Sequence, residues 1–468
     1  MRENRFLLIG MILVLLGGCT LAPAYKRPVS PVPGHWPTGA AYREAEPAAA
    51  PAADQLPWRE FITDERLQQV IATALSGNRD LRLAALNVER ARALYRVQRD
   101  ELLPSIQGVG SGIKERIPAD LSSGGHSKIA EQYSVRLGIS SWEIDFFGRI
   151  RSLKDRALEE YLATDQARRS AQILLISEVA NVWFTLAADS ENLRLARSTL
   201  ETQEASYNLI RKRCDVGLSS DLDLRRAQTQ VDTARGYVAL YTQLAALDEN
   251  ALTLVVGTSV PPELLPPELD GVASPGEISA GLSSGVLLRR PDVLAAEHRL
   301  KAANANIGAA RAAFFPRISL TTAFGTASAE LSGLFKAGSA SWTFAPQIAV
   351  PIFDARTWSA YDVTKVEREI CVAQYEKAVQ TAFREVADAL ARQGTVGEQL
   401  AAQQSLVEAA AETYRLSNAR YAHGIDSYLS VLDAQRSLYS AQQGLISLRL
   451  ARISNLATMY RVLGGGAK

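Results

Sequence analysis

Cys19 is the residue whose surroundings point to one specific reaction. A short basic start precedes the apolar run 6–16, which is too short to span a membrane as a stable helix, and LGGC follows at 16–19. This order predicts a secretory signal peptide over residues 1–18. The small residues before the cysteine predict a lipobox, in which the Cys19 thiol is lipidated. An ordinary signal peptide that happens to contain a cysteine is the alternative.

Lipidation of Cys19 would attach the mature chain to a membrane surface. Each methylene group of an acyl chain that enters the bilayer contributes about 0.8 kcal/mol, so several chains would hold the N-terminus firmly in outer-membrane lipid. Thr20 rather than Asp follows the cysteine, which resembles the default outer-membrane sorting signal of enterobacterial lipoproteins. Residues 19–60 are rich in Pro and Ala with no sustained period, which predicts a lipid-anchored, extended tether.

The other residues that could support catalysis are scattered. The histidines fall in no HExxH pattern and the cysteines in no CxxC pattern. GVGSG at 108–112 has closely spaced glycines but lacks the Lys and Ser/Thr of a phosphate-binding loop. Cys214 and Cys371 are predicted to be free, buried thiols. We therefore predict no enzymatic activity, no cofactor and no metal site.

Bulk composition excludes nucleic acid as a partner but does not exclude a membrane. The 51 Lys and Arg residues nearly balance the 50 Asp and Glu residues, so the chain has no basic footprint for nucleic acid. The most apolar later run, 171–188, contains Gln172, Glu178 and Asn181, so no transmembrane helix is expected. A membrane β-barrel leaves little trace in average hydropathy, so the composition does not exclude one.

The chain repeats one unit. Shifts of 212 and 207 residues superpose its two halves. The matching pairs include Asp80/Asp292, Arg99/Arg311, Pro104/Pro316, Tyr207/Tyr414, Gly217/Gly424 and Gln228/Gln435. Helical solenoids repeat with much shorter periods, so the pattern predicts a duplicated domain. We predict repeat 1 over 61–260, a Pro-rich linker over 261–284 and repeat 2 over 285–464.

Each repeat reads helix, strand, strand, long helix, turn, helix. Apolar residues in the helices step by three and four, which is coiled-coil spacing, although an amphipathic core helix is the alternative for any one stripe. The stripes comprise Ile173, Ile176, Ala180, Trp183 and Ala187 in repeat 1, and Val379, Phe383, Val386, Leu390, Leu438, Ala441, Leu445 and Leu448 in repeat 2. No proline occurs from Asp354 to Arg420, which permits a helix about 100 Å long and favours the coiled coil.

The residues after Pro104 and Pro316 change to a period of two. Apolar side chains at 133, 135, 137 and 139 alternate with polar or small ones, and 317–326 behaves likewise. Period two with one apolar face predicts strands, and the longer polar loops between them are typical of an outer-membrane barrel. An ordinary surface hairpin is the alternative for each pair.

Four strands per chain cannot close a barrel, and lipid does not tolerate an open edge. Several chains must therefore share one barrel through cyclic symmetry. Physics leaves the copy number open, since two chains would supply about eight strands and three about twelve. A wide duct requires the larger ring, because about eight strands fill with side chains.

Three segments closely resemble outer-membrane efflux lipoproteins of the TolC superfamily, in the NodT-type branches related to CusC and OprM. They are LLRRPDVLAAEHRLKAANANIGAARAAFFPRISLT (287–321), WEIDFFGRIRS (142–152) and HGIDSYLSVLDAQRSL (423–438). The resemblance implies an α+β membrane protein that forms a homotrimer. A 12-stranded transmembrane β-barrel in the bacterial outer membrane would continue into a long periplasmic α-helical coiled-coil barrel.

The resemblance also implies a function and partners. The chain would be the exit duct of a tripartite efflux pump, working with a periplasmic adaptor (membrane fusion) protein and an inner-membrane transporter of the resistance–nodulation–division (RND) type. A type I protein secretion channel is the alternative within the fold, and a structural coiled-coil spacer is an alternative outside it. Drugs, solvents and metal ions all stay open as substrates.

The resemblance assigns two groups of site residues. The periplasmic tips that contact the adaptor would be Gly217, Leu218, Ser219, Ser220, Gly424, Ile425, Asp426 and Ser427. Asp433 matches an aspartate that lines the closed aperture, and Asp223 and Tyr421 match a pair that links two hairpins. Asp426 stands where TolC has an arginine, so a link through that arginine does not carry over. An ordinary helix turn and a solvated helix face are the alternatives.

Overall fold

The computed structural model describes residues 20–42, 56–276, 278 and 283–465. The predicted signal peptide over 1–18 and the predicted lipidation site Cys19 lie outside the described residues, as do residues 43–55 of the predicted tether.

The chain divides into two compact units. The sheet unit comprises the described residues of Met1–Pro28 together with Val88–Thr164 and Ala296–Tyr375. The helical unit comprises the described residues of Val29–Asn87, Asp165–Ala295 and Glu376–Lys468.

Helices and strands follow the predicted order twice. The helices are α1 (Trp58–Phe61), α2 (Glu65–Gly77), α3 (Arg79–Asp100), α4 (Arg149–Asp215), α5 (Asp221–Val256), α6 (Pro291–Ala312), α7 (Ala355–Ala422) and α8 (Tyr428–Val462). The strands are β1 (Ile106–Ile117), β2 (Lys128–Glu143), β3 (Arg317–Ser328) and β4 (Ala340–Ala349). The order helix, strand, strand, long helix, helix is confirmed in both halves.

The four strands form one antiparallel sheet in the order β1-β2-β3-β4. The central pair, β2 and β3, joins the two halves of the chain, with Leu137 opposite Phe324. GVGSG lies within β1. The outer strands β1 and β4 are the edges of this sheet, so each offers a row of backbone groups to a further strand.

One face of the sheet is apolar and exposed. The register of the strands places six large apolar side chains on this face. They are Ile106, Leu137, Phe324, Trp342, Phe344 and Ile348. Trp342 is 77% exposed and Phe324 is 69% exposed. A continuous apolar face of this kind needs lipid or another protein to cover it. In β2, β3 and β4 the opposite face carries polar or small residues, including Ser134 and Arg136, whereas β1 places Val109 and Ile113 there.

The pairing of β2 with β3 contains a β-bulge. The pairing slips between Ile139 and Trp142, and Ser141 in this bulge has a φ of 52°. Bulges of this kind increase the local twist and bend of a strand. At Gly325 the backbones approach so closely that a Cβ atom would lie 2.1 Å from the carbonyl oxygen of Val135. Only glycine fits there without a shift of the sheet.

The burial expected for the predicted coiled-coil stripes is found in part of the long helices. Helix α7 has 68 residues, as the proline-free run predicted. The five stripe residues of α4 are all buried, with Trp183 and Ala187 at 0% exposure. In α7 and α8, Val379, Val386 and Ala441 are buried, but the other five stripe positions are only half-buried. That part of the stripe is therefore incompletely covered within one chain.

Among the described residues, α4 is long and apolar enough to cross a membrane by length and composition alone. Its apolar window of 18 residues has a mean hydropathy of 1.4, and 61% of it is buried within the chain. The fully buried Trp183 in α4 donates its indole N–H to the carbonyl oxygen of Leu264 at 3.0 Å. We therefore assign α4 to the protein core.

Cys214 and Cys371 are free thiols, as predicted. The prediction that both are buried is wrong, because each is only half-buried. Each cysteine lies on a long helix whose faces its own chain covers only in part. Burial nevertheless raises the pKa of the Cys371 thiol.

Candidate functional site: the hairpin turns and the gate residues

Each pair of long helices is joined by a turn with a glycine in the left-handed region. Gly217, between α4 and α5, has a φ of 73°, and Gly424, between α7 and α8, has a φ of 72°. In both turns the N–H groups of the glycine and of the next residue donate back to carbonyl oxygens of the preceding helix, at 2.7 to 3.0 Å. This paired pattern ends a helix and requires a conformation that other residues adopt only with strain.

In the first turn, a side-chain hydrogen bond caps the start of the next helix. Ser220 precedes α5, and its hydroxyl oxygen accepts a hydrogen bond from the backbone N–H of Asp223 at 3.1 Å. The same hydroxyl donates to the Asp223 carboxylate at 2.7 Å. Ser220 and Asp223 together therefore stabilise the start of α5, because the hydroxyl satisfies an otherwise free N–H donor at the helix N-terminus and the carboxylate fixes that hydroxyl in place.

The second turn is held by an ion pair instead of a helix cap. The Arg420 guanidinium donates two hydrogen bonds to the Asp426 carboxylate, from Nε at 2.6 Å and from Nη2 at 3.0 Å. Ser427, at the start of α8, makes no side-chain cap. The Arg420 guanidinium holds the pKa of Asp426 below its usual value. Sequence reasoning missed this pair, because a separation of six residues across a turn follows no helix spacing rule.

An apolar cluster packs the two hairpins of the helical unit against each other. Its buried members are Ile210, Ala227, Tyr428, Val431 and Leu432. Tyr428 is 4% exposed, and burial raises the pKa of its hydroxyl to about 12. That hydroxyl has no hydrogen-bond partner among the described residues. The cluster holds both turns at the same end of the helical unit.

The turns themselves expose large apolar side chains. These are Val216, Leu218, Leu222, Ile425 and Leu429. Leu218 is 71% exposed and Ile425 is 62% exposed. Of the eight predicted contact residues, Ser219 and Asp426 are half-buried and the other six are exposed. Several exposed apolar side chains in one place are typical of a surface that another protein covers.

Asp433 lies one turn above this end, on α8, and its carboxylate is about half exposed. It accepts a hydrogen bond from the guanidinium of Arg436 on the same helix. The predicted gate carboxylate therefore carries its own counter-charge. The spacing of three residues in DAQR would have revealed this pair, because residues three apart are neighbours on a helix.

Asp223 and Tyr421 make separate contacts within one chain. Asp223 binds Ser220, as described above, whereas the Tyr421 ring lies against Tyr428, with ring centroids 5.3 Å apart. The Arg213 guanidinium also lies over the Tyr421 ring, at 5.3 Å from its centroid. A link between Asp223 and Tyr421 of neighbouring chains stays a prediction.

The segment that follows Cys19 is fastened to α6 within the sheet unit. The carbonyl oxygen of Leu21 accepts from Arg311 at 3.2 Å, and that of Pro23 accepts from Asn304 at 2.7 Å. A Cβ atom on Gly308 would lie 2.7 Å from the backbone nitrogen of Ala22, so the small residue lets the segment lie against the helix. Repeat alignment alone gave no sign of this contact.

Glu297 on α6 is the main polar anchor of this segment. It is 3% exposed and accepts from the Arg27 guanidinium at 2.7 and 3.1 Å and from the Tyr25 hydroxyl at 3.1 Å. Lys301 lies 3.3 Å from the same carboxylate. Burial alone would raise the pKa of Glu297, but the Arg27 hydrogen bond and the Lys301 charge lower it overall. The carboxylate therefore stays ionised and fully paired.

This fold and its two hairpin turns match known proteins over nearly the whole chain. The family model described as outer membrane efflux protein matches residues 70–258 and 282–465. The chain belongs to the outer membrane efflux protein family. The toluene efflux pump outer membrane protein TtgC of Pseudomonas putida is 50% identical over 97% of this chain and 93% of its own length. The antibiotic efflux pump outer membrane protein ArpC of Pseudomonas putida gives the same values.

A solved structure supports the same assignment for this outer membrane efflux protein. The open-state Neisseria gonorrhoeae MtrE outer membrane channel is 38% identical, with a TM-score of 0.87 over 96% of this chain and 99% of that chain. The fold is therefore that of a TolC-like outer-membrane channel. The protein functions as an outer-membrane efflux channel, which is a transporter-type function.

Proposed function

We propose that this channel is the exit duct of a tripartite pump that also contains a periplasmic adaptor and an inner-membrane RND transporter. The observation that carries the proposal is the four-stranded sheet with an exposed apolar face and two edge strands. Such a sheet is stable in lipid only when further strands cover both edges. Three chains around a threefold axis would give a barrel of about twelve strands, wide enough for a duct.

The shared barrel leads to a direct test of oligomeric state. The purified protein in mild detergent is expected to run as three chains by native mass spectrometry, because each chain needs a neighbour at both edge strands. Cysteine pairs placed on facing positions of β1 and β4 should cross-link between chains, whereas pairs placed in the loop 119–127 should not. A stable, folded monomer in detergent would contradict the shared barrel.

The adaptor proposal rests on the two turns. Leu218 and Ile425 are exposed apolar residues in turns that side-chain hydrogen bonds stabilise. The two turns lie at one end of the helical unit. A coiled-coil tip of the adaptor would cover these side chains through hydrophobic burial. The eight residues predicted from the sequence are the proposed contact set: Gly217, Leu218, Ser219, Ser220, Gly424, Ile425, Asp426 and Ser427.

Small organic compounds are the proposed substrates. The relatives at 50% identity are named for toluene and for antibiotics. An exit duct accepts what its transporter delivers, so the substrate is set elsewhere in the pump. Genetic deletion should raise sensitivity to aromatic solvents and to several antibiotics together. Loss of export of a single secreted protein, with unchanged solvent sensitivity, would instead favour the type I secretion function.

Lipidation of Cys19 gives a separate test. Cys19→Ala is expected to abolish labelling by radioactive palmitate, because the thiol is the proposed acylation site. Cys214→Ala is the matched control and should label like the wild type, since Cys214 is a free, half-buried thiol far along the chain. Persistent labelling of the Cys19 variant would show that the lipobox prediction is wrong.

A further inference from the structure

A cavity of about 360 Å³ lies between α4, α5 and α8 within the helical unit. Its lining includes Gln203 of α4, Tyr237 of α5 and Tyr439 of α8. Small-molecule sites in proteins have volumes of about 300–1,000 Å³, so one or two rings of a ligand fit here. Gln203 lies roughly four helical turns before Gly217, so the cavity is separate from the proposed adaptor contacts.

Amide and hydroxyl groups dominate the polar lining of this cavity. The amides belong to Gln203, Gln230, Gln435 and Gln443, and serine and threonine side chains supply hydroxyls. Arg436 is the charged residue of the described lining, and it is already paired with Asp433. The lining therefore favours an uncharged ligand that carries several hydrogen-bonding groups.

Gln203 is the lining residue with an unsatisfied hydrogen-bonding group. It is 4% exposed, and its Oε1 atom has no partner among the described residues. Gln443, in contrast, donates to the hydroxyls of Tyr241 at 2.7 Å and Tyr439 at 3.4 Å. A buried amide is normally paired, because an unpaired one costs free energy. Rotation of the amide by half a turn exchanges its oxygen and nitrogen, so either atom can meet a ligand in the cavity.

Two tyrosine rings supply the apolar surface of the cavity. The ring centroids of Tyr237 and Tyr439 lie 5.1 Å apart, with their planes at 33° to each other. Both residues are half-buried, and burial raises the pKa of the Tyr439 hydroxyl, which therefore stays neutral. A tyrosine ring offers an apolar face and a polar edge. A sugar ring matches this combination, because its C–H face packs on an aromatic ring while its rim forms hydrogen bonds.

We propose that this cavity binds a neutral sugar that carries an acetamido group. The acetamido N–H and C=O complement the oxygen and nitrogen of the Gln203 amide, so one ligand group satisfies both ends. A cation finds no carboxylate in the described lining, and an anion must compete with Asp433 for Arg436. A pure hydrocarbon leaves the Gln203 amide unpaired.

Two disaccharides that differ in the acetamido group test the site on the unmodified protein. Chitobiose and cellobiose share one linkage, but only chitobiose carries acetamido groups. The purified full-length protein is titrated with each, and binding is followed by the NMR signals of the sugar. An amine oxide detergent is used, because alkyl maltosides would compete through their sugar headgroups. Chitobiose should bind roughly 10-fold more tightly, the factor that one unpaired buried amide costs.

Variants of the lining assign the preference to individual side chains. Gln203→Leu keeps the size of the side chain but removes the amide, so it should bind both sugars equally weakly. Tyr237→Phe keeps the ring and should bind chitobiose like the parent, whereas Tyr237→Leu should weaken both sugars. Gln404→Leu is the matched control, because Gln404 is exposed on α7 and lies outside the cavity.

The source of the sugar is a separate outcome of the test. Co-sedimentation with purified peptidoglycan that Gln203→Leu lowers would identify a polymer as the ligand, whereas chitobiose binding without co-sedimentation would identify a free sugar. Absence of chitobiose binding by the parent, equal affinity of the parent for both disaccharides, or an unchanged preference in Gln203→Leu would overturn the proposal.

Discussion

Replacing Asp433 with alanine is expected to shift the selectivity of the resting channel strongly towards anions. We propose that three copies of Asp433 line the narrowest part of the duct in the trimer, and each is paired with Arg436 of the same helix. Removal of the carboxylates leaves three guanidinium groups unpaired. A unit charge a few ångströms from a passing ion acts on it by on the order of 1 kcal/mol in water, so the permeability ratio should change several-fold.

The measurement is the reversal potential of single channels in planar bilayers under a salt gradient. Wild type, Asp433→Ala, Arg436→Ala and the double variant should be recorded side by side. The double variant is the matched control, because it removes the ring charges in pairs and should be nearly unselective. Unchanged reversal potentials in all four proteins would mean that the constriction lies elsewhere in the duct.

Conductance tests the proposed link between neighbouring hairpins. Asp223→Ala combined with Tyr421→Phe should raise the conductance of the purified channel without adaptor, because the closed population loses an inter-chain contact. Asp223 also takes part in the cap of α5 through Ser220, so the cap must be controlled for. Ser220→Ala removes that cap and leaves the link, and its conductance should stay at the wild-type level.

Replacing Arg290 with methionine is expected to lower the free energy of unfolding by about 3–5 kcal/mol. Arg290 is 7% exposed and binds Asp292 through two nitrogen atoms at 2.7 and 3.0 Å. It also donates to Glu385 at 2.9 Å and to the carbonyl oxygen of Val462 at 2.6 Å. Methionine fills the space but leaves two carboxylates and a buried carbonyl without their donor.

Denaturant unfolding in detergent, followed by circular dichroism, measures this loss. Arg290→Lys should lie between the wild type and the methionine variant, because lysine keeps the charge but loses the planar fork. Arg235→Met is the matched control: its pairs with Glu204 and Asp232 are exposed and worth about 0–1 kcal/mol. Similar losses at both positions would show that the Arg290 network adds nothing to the fold.

Structural elements that a short local pattern specifies could be predicted from the sequence. Alternation in 133–139 and 317–326 predicted β2 and β3, and the absence of proline predicted α7 to within two residues at its C-terminal end. Gly217 and Gly424 predicted both helix turns, because no other residue adopts their backbone conformation without strain. Each of these signals lies within a few residues of the element that it specifies.

Contacts between segments that are far apart in the sequence could not be predicted. The anchor at Glu297 involves Arg27, some 270 residues away, and no periodicity relates the two. The pair Arg420–Asp426 spans a turn, so its separation of six residues follows no helix spacing rule. The half-burial of Leu445 and Leu448 also depended on which neighbouring helices cover that stripe.

The sequence by itself determined the strand faces, the long helices, the duplicated order of elements and the family, because these follow from residue type and local spacing. The tertiary structure alone decided which charges are paired between distant segments. It joined Arg290 to Glu385 and to the end of α8, and it joined Arg27 to Glu297. Charge pairing depends on distances of a few ångströms between side chains, and only the packed helices set those distances.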